Sequence, residues 1–399
     1  MRILILNHFP LEGSGSGVYT QNLAEQLSKM GHDVKVVVPE HEPITNDLIQ
    51  VRSVIFRNGN NSQWEVPYNF PCFTTHPRSN NTFENLTQEE IQVYISTFQK
   101  ILQQEVEAFK PDIIHAQHLW ILPYCASKTG IPYIATAHGT DLKGFRADER
   151  YREYALVGAR KASKIITISN QVDREVEELY GIPKESRSLI FNGFDNEIFY
   201  PMKRDRFQVL SKYYIHEEPE YIVTFVGKLA HFKGVDVLLR AAKIYERELK
   251  SVITFIIGNG DQYQNLLDIK TELELKHIHF LGHRSQGSIA ELLSIADVST
   301  VPSRVEPFGL VAIEALACGT PVVATNQGGL PDFIDSRVGS LVPVEDDIAL
   351  AEAIIREVTN PNKSEKSKFA ARYSHEGFSW DRVAREVENI YREVLENEL

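Results

Sequence analysis

A chain of 399 residues, 43% hydrophobic and 24% charged, has enough apolar surface for a full core and enough length for two ordinary domains. Its formal net charge of −12 argues against a nucleic-acid-binding role, which needs a basic face, but leaves room for phosphate held by a few lysines in a cleft. Cys72, Cys125 and Cys318 lie far apart with no CxxC spacing, which fits a reducing compartment rather than a disulfide framework or a zinc knuckle.

The opening run Met1–His8 is apolar only up to Asn7, too short for a signal-peptide core or a membrane span, and reads as a first buried strand. No later apolar run is long enough to cross a bilayer, so a soluble, cytoplasmic protein is expected. Further strands are expected at Asp33–Val38, Asp112–Ala116, Tyr133–His138, Lys164–Ser169 and Ser188–Phe191. Helical periodicity falls between them at Val18–Met30, Gln88–Phe109, Arg150–Ala162 and Gln171–Leu179. Apolar strands alternating with helices imply a parallel sheet covered on both faces. Residues 43–85, rich in Asn, Pro and aromatics, break the rhythm and read as a long excursion.

The stretch 196–221 reads as an interdomain linker, after which the pattern restarts. Strands are expected at Ile222–Val226, Val252–Ile257, His279–Leu281, Val298–Val301, Pro321–Ala324 and Gly339–Val342. The helices between them are Val235–Glu248, Gln262–Leu275, Ser288–Ile295, Leu310–Cys318 and Ile348–Val358. The predicted architecture is α/β, with two Rossmann-like parallel-sheet domains, 1–203 and 204–378, facing each other across a cleft. In the final segment, 379–399, Val383, Val387, Ile390 and Val394 form one apolar stripe that needs a partner surface, and packing back on the N-terminal domain supplies one.

The strongest chemical signal runs from Ser303 to Pro321. Glu306 and Glu314 stand with seven residues between them, around the turn Pro307-Phe308-Gly309, with a helix starting at Leu310. A helix start offers unpaired backbone N–H groups, and carboxylates accept hydrogen bonds from a vicinal diol. Two lysines, Lys228 and Lys233, flank a strand-to-helix turn after Phe225-Val-Gly227, where a phosphate is well held. Gly13-Ser-Gly15-Ser-Gly17 opens another helix without matching a dinucleotide or Walker A spacing, and taken alone it reads better as a plain turn. His115 and His118, at a strand end, could line the side of a second substrate but read best as core residues.

These motifs together resemble retaining glycosyltransferase family 4, of the GT-B fold. The Glu-x7-Glu pair is similar to that family's signature. Gly227-Lys228-Leu…Lys233-Gly234 resembles its donor-phosphate segment, and Gly258-Asn-Gly260-Asp its second glycine loop. Phe280-Leu-Gly282 with His283 resembles the base-side strand end, and Asn192-Gly-Phe-Asp195…Phe199-Tyr-Pro201 an element near the hinge. The resemblance implies that Glu314 binds the donor ribose and Glu306 the transferred sugar. It also implies that Lys228 and Lys233 neutralise the diphosphate, and that backbone groups of Pro307, Phe308, Gly309 and Leu310 meet sugar hydroxyls. Lys228 stands where the family usually has arginine, which keeps the charge and loses the bidentate fork. Gly17 would border the donor, and His138, at the end of Ile134-Ala-Thr-Ala, would touch the transferred sugar.

The activity implied by the resemblance is a hexosyl transfer with retention, from a nucleoside diphosphate sugar to a hydroxyl acceptor, without a cofactor or metal. A UDP-sugar is the expected donor, UDP-glucose first and GDP-mannose next. The expected acceptor is a glycan or lipid-linked glycan in polysaccharide biosynthesis, with at most weak peripheral membrane contact and no nucleic-acid partner. The alternatives are synthesis of a small glycoside, a sugar-nucleotide epimerase of the same fold, and a non-catalytic binder.

Overall fold

The computed structural model describes residues 1–74, 76–216 and 218–397. The chain divides into two compact units, 1–192 with the last helix, and 193–379.

Unit 1 runs β1 (Arg2–Leu6), α1 (Gly15–Lys29), β2 (Asp33–Glu40), β3 (Gln50–Ile55), α2 (Gln88–Phe109), β4 (Ile113–Gln117), α3 (Ile121–Ala126), β5 (Tyr133–Ala137), α4 (Thr140–Ala147), α5 (Arg152–Lys161), β6 (Lys164–Thr167), α6 (Asn170–Tyr180) and β7 (Arg187–Leu189). Its seven strands are all parallel, in the order β3-β2-β1-β4-β5-β6-β7. The order reverses between β1 and β4, which makes that junction the sheet's switch point.

Unit 2 runs α7 (Arg206–Ser211), β8 (Tyr221–Val226), α8 (Val235–Glu248), β9 (Val252–Ile257), α9 (Tyr263–Glu272), β10 (Ile278–Gly282), α10 (Gln286–Ile295), β11 (Val298–Val301), α11 (Leu310–Ala317), β12 (Val322–Thr325), β13 (Gly339–Val342), α12 (Asp347–Val358) and α13 (Lys363–Phe378). Its six parallel strands follow the order β10-β9-β8-β11-β12-β13, so β8 and β11 flank the switch point. On β9, Val252 and Ile256 enter the core formed with α8 and α12, while Ile253, Phe255 and Ile257 enter a second core with Val209, Leu210 and Leu292. Burial on both faces is why these strands read as unbroken apolar runs.

The structure corrects three expectations. The excursion 43–85 contains β3, paired along its whole length to β2 as an edge strand. As an edge strand, Gln50-Val-Arg-Ser-Val-Ile55 carries polar residues at Gln50, Arg52 and Ser53 and lacks the continuous apolar run of an internal strand. The supposed linker 196–221 is part of unit 2, since α7 contributes Val209 and Leu210 to a core. The unit boundary accordingly lies at Asn192/Gly193 rather than after 203, and the Phe194 N–H donates to the Phe378 carbonyl at 3.0 Å. The return falls after Ser379 rather than before it.

The last helix, α14 (Trp380–Asn397), buries Val383, Val387, Ile390 and Val394 against Tyr19, Leu23 and Leu27 of α1. Its Tyr391 hydroxyl meets His115 Nδ1 at 2.7 Å, and Thr136 Oγ1 lies 2.7 Å from the other ring nitrogen. Tyr391→Phe should leave a buried imidazole nitrogen unpaired and cost roughly 1–3 kcal/mol. Urea unfolding followed by circular dichroism would show the shift. An unchanged midpoint would mean that the nitrogen finds another partner.

Candidate active site

In unit 2 every expected donor-side segment leaves the sheet at the carboxyl ends of its strands. Gly227 and Lys228 follow β8, Gly258 and Gly260 follow β9, His283 follows β10, and Ser303 to Glu306 follow β11. These loops are laced together by backbone hydrogen bonds. Gly227 N–H donates to the Ile257 carbonyl at 2.9 Å, Gly258 N–H to Gly282 at 2.9 Å, and Leu229 N–H to Asn259 at 2.9 Å. At Gly258 the φ is 140°, and a Cβ there would sit 1.9 Å from the Gly227 carbonyl oxygen. Only glycine lets the two loops approach this closely.

At the switch point the two halves of the site meet. Lys233 Nζ lies 2.6 Å from Glu306 Oε2, and the Ser303 hydroxyl donates to the same oxygen at 3.1 Å. Glu306 is buried, so its charge is balanced by the ammonium and the hydroxyl rather than by water. The helix beside it, α11, starts at Gly309 with a φ of 111° and no side-chain cap. Ala312 and Ile313 N–H groups bond back to the Gly309 carbonyl, whereas those of Gly309, Leu310 and Val311 have no partner among the described residues. α8, which follows Lys233, also starts on an uncapped glycine, Gly234. Two uncapped helix starts and a lysine at one switch point form a ready anion and hydroxyl site.

Glu314 lies in α11, keeps part of its surface exposed, and has its pKa pushed up to about 8 by burial of the carboxyl group and then by the Asp195 charge. Phe308 is buried with its ring 5.1 Å from Phe333, so its side chain is core. Pro307 and Leu310 are half-buried, and His283 is exposed.

Gly17 and His138 belong to unit 1. Gly17 sits in the first turn of α1, with its N–H given to the Ser14 hydroxyl at 3.0 Å. A Cβ there would lie 2.1 Å from the Pro10 carbonyl oxygen, so this glycine serves close packing of the loop, and its amide is already committed. His138 follows β5. Its Nε2 lies 2.8 Å from Gln117 Oε1, its N–H donates to Asp141 at 3.2 Å, and burial pushes its pKa down to about 3, leaving a neutral ring.

Two family models match the chain: glycosyltransferase family 4 over residues 13–198 and glycosyl transferases group 1 over residues 208–374. The chain is a group 1 glycosyltransferase of the GT-B fold. It is 28% identical to an uncharacterized glycosyltransferase of Methanocaldococcus jannaschii, covering 96% of this chain and 95% of that one. It is 27% identical to the D-inositol 3-phosphate glycosyltransferase of Corynebacterium aurimucosum over 100% of this chain and 97% of that one. Among solved structures, sucrose-phosphate synthase from Thermosynechococcus elongatus superposes with a TM-score of 0.76 at 23% identity, covering all of both chains. The Anabaena protein HepE in complex with UDP-glucose superposes with a TM-score of 0.74 at 20% identity, over 98% of this chain and 100% of that one.

Arg304, which the sequence motifs did not single out, shapes the loops at the switch point of unit 2. The Arg304 guanidinium donates to both Asp236 oxygens at 2.8 Å, to the His231 carbonyl at 2.5 Å and to Glu345, tying the Glu306 loop to the Lys233 turn. Only its place beside Ser303 in the motif hinted at it.

The raised pKa of Glu314 has a measurable consequence. Its folded value of about 8 exceeds the ordinary 4.5, so between those limits the native state holds a proton that the unfolded chain has lost. Stability therefore falls as pH rises through that window. Glu314→Gln removes the effect, and its melting temperature should gain on the wild type from about pH 5 to about pH 8 and level off above. Thermal unfolding across that range is the check, and a pH-independent difference would refute it.

Proposed function

We propose that this glycosyltransferase moves a hexosyl group from a UDP-sugar, with UDP-glucose first, to a hydroxyl of a glycan acceptor, with retention and without a metal. The observation that carries this reading is the Lys233–Glu306 pair lying in the loops that lead into two uncapped helix starts. Lys233, Lys228 and the α8 start neutralise the diphosphate. The unpaired N–H groups of Gly309 and Leu310 meet sugar hydroxyls, and Glu314 takes the ribose diol. The solved Anabaena structure that holds UDP-glucose supports the choice of donor.

In the proposed reaction the bond from the sugar's C1 to the diphosphate oxygen breaks, and a bond from C1 to the acceptor oxygen forms on the same face. The acceptor's proton passes to the departing diphosphate. Fixed cations and helix N-termini act where the leaving charge develops, which is where preorganised groups contribute most. Glu306 rests as the counter-ion of Lys233, so no covalent intermediate on it is invoked. A second reading, synthesis of a small glycoside, is favoured by relatives such as the N-acetyl-alpha-D-glucosaminyl L-malate synthase of Bacillus anthracis, 25% identical over 96% of this chain.

Diphosphate release from UDP-glucose, with and without acceptors, tests the reading. Lys233→Ala and Glu314→Ala should each lower transfer by about a hundredfold while circular dichroism stays unchanged. Near-normal rates in both folded variants would overturn the site assignment. Transfer should also survive EDTA. Loss on chelation that magnesium or manganese restores would replace the metal-free mechanism with a metal-assisted one.

A further inference from the structure

The candidate active site of unit 2 lies where loops leave the carboxyl ends of its strands, and the opposite edge of the same sheet carries a second concavity. Its volume is about 680 Å³, within the range of small-molecule sites. Ser336 and Arg337, just before β13, form one side, and Asn360 and Asn362, just after α12, form the next. α12 leaves from the carboxyl end of β13 and packs back along it, so all four residues stand at the amino ends of the strands. The sheet therefore separates this groove from Lys228, Lys233 and Glu306.

The charge of the groove runs against that of the chain. The whole protein carries a net −12, yet Arg337, Lys366, Lys368 and Arg372 line the groove against a single carboxylate, Glu365. Two of these cations are already neutralised, Arg337 by Asp335 at 2.6 Å and Lys366 by Glu357 at 2.8 Å. Lys368 and Arg372 have no carboxylate or hydrogen-bond partner among the described residues. They stand four residues apart on α13, so they share one face of that helix, where like charges repel. An anion set between them would remove the repulsion and complete both.

The arginines are also held in place. The Arg337 guanidinium lies 5.3 Å from the centre of the Phe369 ring and 5.8 Å from that of Tyr373, and Arg372 lies 5.5 Å from the same Phe369 ring. The two rings stack on each other, 6.0 Å apart and 14° from parallel. A guanidinium resting on an aromatic face keeps its N–H edge free, and that edge meets a phosphate through two parallel hydrogen bonds.

Shape selects among anionic partners. A membrane surface is engaged by apolar side chains that protrude, whereas Phe369 and Tyr373 are half-buried and no exposed large hydrophobic residue lines the groove. The side-chain amides of Asn360 and Asn362 add donors suited to hydroxyl groups. We propose that this groove is a second anion site, in which Arg372 and Lys368 bind the phosphate of a small soluble sugar or polyol phosphate, apart from the nucleotide-sugar site.

Isothermal titration of the full chain with glucose 6-phosphate and with glycerol 3-phosphate tests the groove. At least one ester should bind, with an affinity that falls as salt rises. The double variant Lys368→Gln, Arg372→Gln changes two exposed side chains and should weaken that binding at least about tenfold. If it does not fold, Arg372→Gln alone takes its place and should weaken binding by about tenfold. UDP, titrated separately, should bind the wild type and the variant equally. A failure of UDP to bind either protein would count against the donor reading and leave the groove's test intact. Binding of neither ester, wild-type affinity in a folded variant, or a matching loss of UDP affinity would overturn a separate site. Sedimentation with vesicles of phosphatidylglycerol, against phosphatidylcholine, covers the lipid source. Pelleting of the wild type but not the variant with phosphatidylglycerol would overturn the soluble ligand in favour of a headgroup.

Discussion

The contact between Lys233 and Glu306 joins residues 73 positions apart, and the rest of the arrangement at the switch point of unit 2 depends on the constraint that brings them together. In a parallel sheet each loop leaves at the same edge, and where the strand order reverses, neighbouring loops diverge and leave room between them. β8 and β11 are the strands at that reversal. Lys233 follows one and Glu306 the other, so each charge meets its counter-ion without crossing the sheet. Arg304 then fixes the distance, because one guanidinium grips the first turn of α8, the His231 carbonyl and Glu345 together.

The two sheets share this logic and differ in chemistry. At the reversal of unit 2 stand lysines, a carboxylate and uncapped helix starts, all suited to charge. At the reversal of unit 1 stand neutral histidines and aromatic rings, with polar atoms unpaired. Electrostatic preorganisation belongs with the leaving group, where charge develops.

Much of the fold was legible because both faces of each internal strand are covered. That condition writes continuous apolar runs into the sequence, and β9, β11, β13, α2 and α8 occupy the residues their patterns predict. The elements that escaped lack such a pattern. β3 is an edge strand, and α7, α3 and α4 are short. α13 is polar over most of its length and is held by contacts such as the Ser374 hydroxyl bond to the Ile313 carbonyl of α11, which no periodicity announces.

For the candidate site, residue types and spacing pointed to Lys228, Lys233, Glu306, Glu314 and the glycine loops, because phosphate and diol recognition would need cations, carboxylates and closely approaching backbone in a fixed order along the chain. The sequence by itself determined the order of those residue types along the chain and the α/β alternation that carries them. Tertiary structure alone decided which lysine pairs with which glutamate, that the Gly17 amide is already committed to Ser14, and that His115 is satisfied while His118 is not. Those outcomes depend on neighbours supplied by distant strands and helices, such as Tyr391 beside His115, and local sequence holds no record of who the neighbours will be.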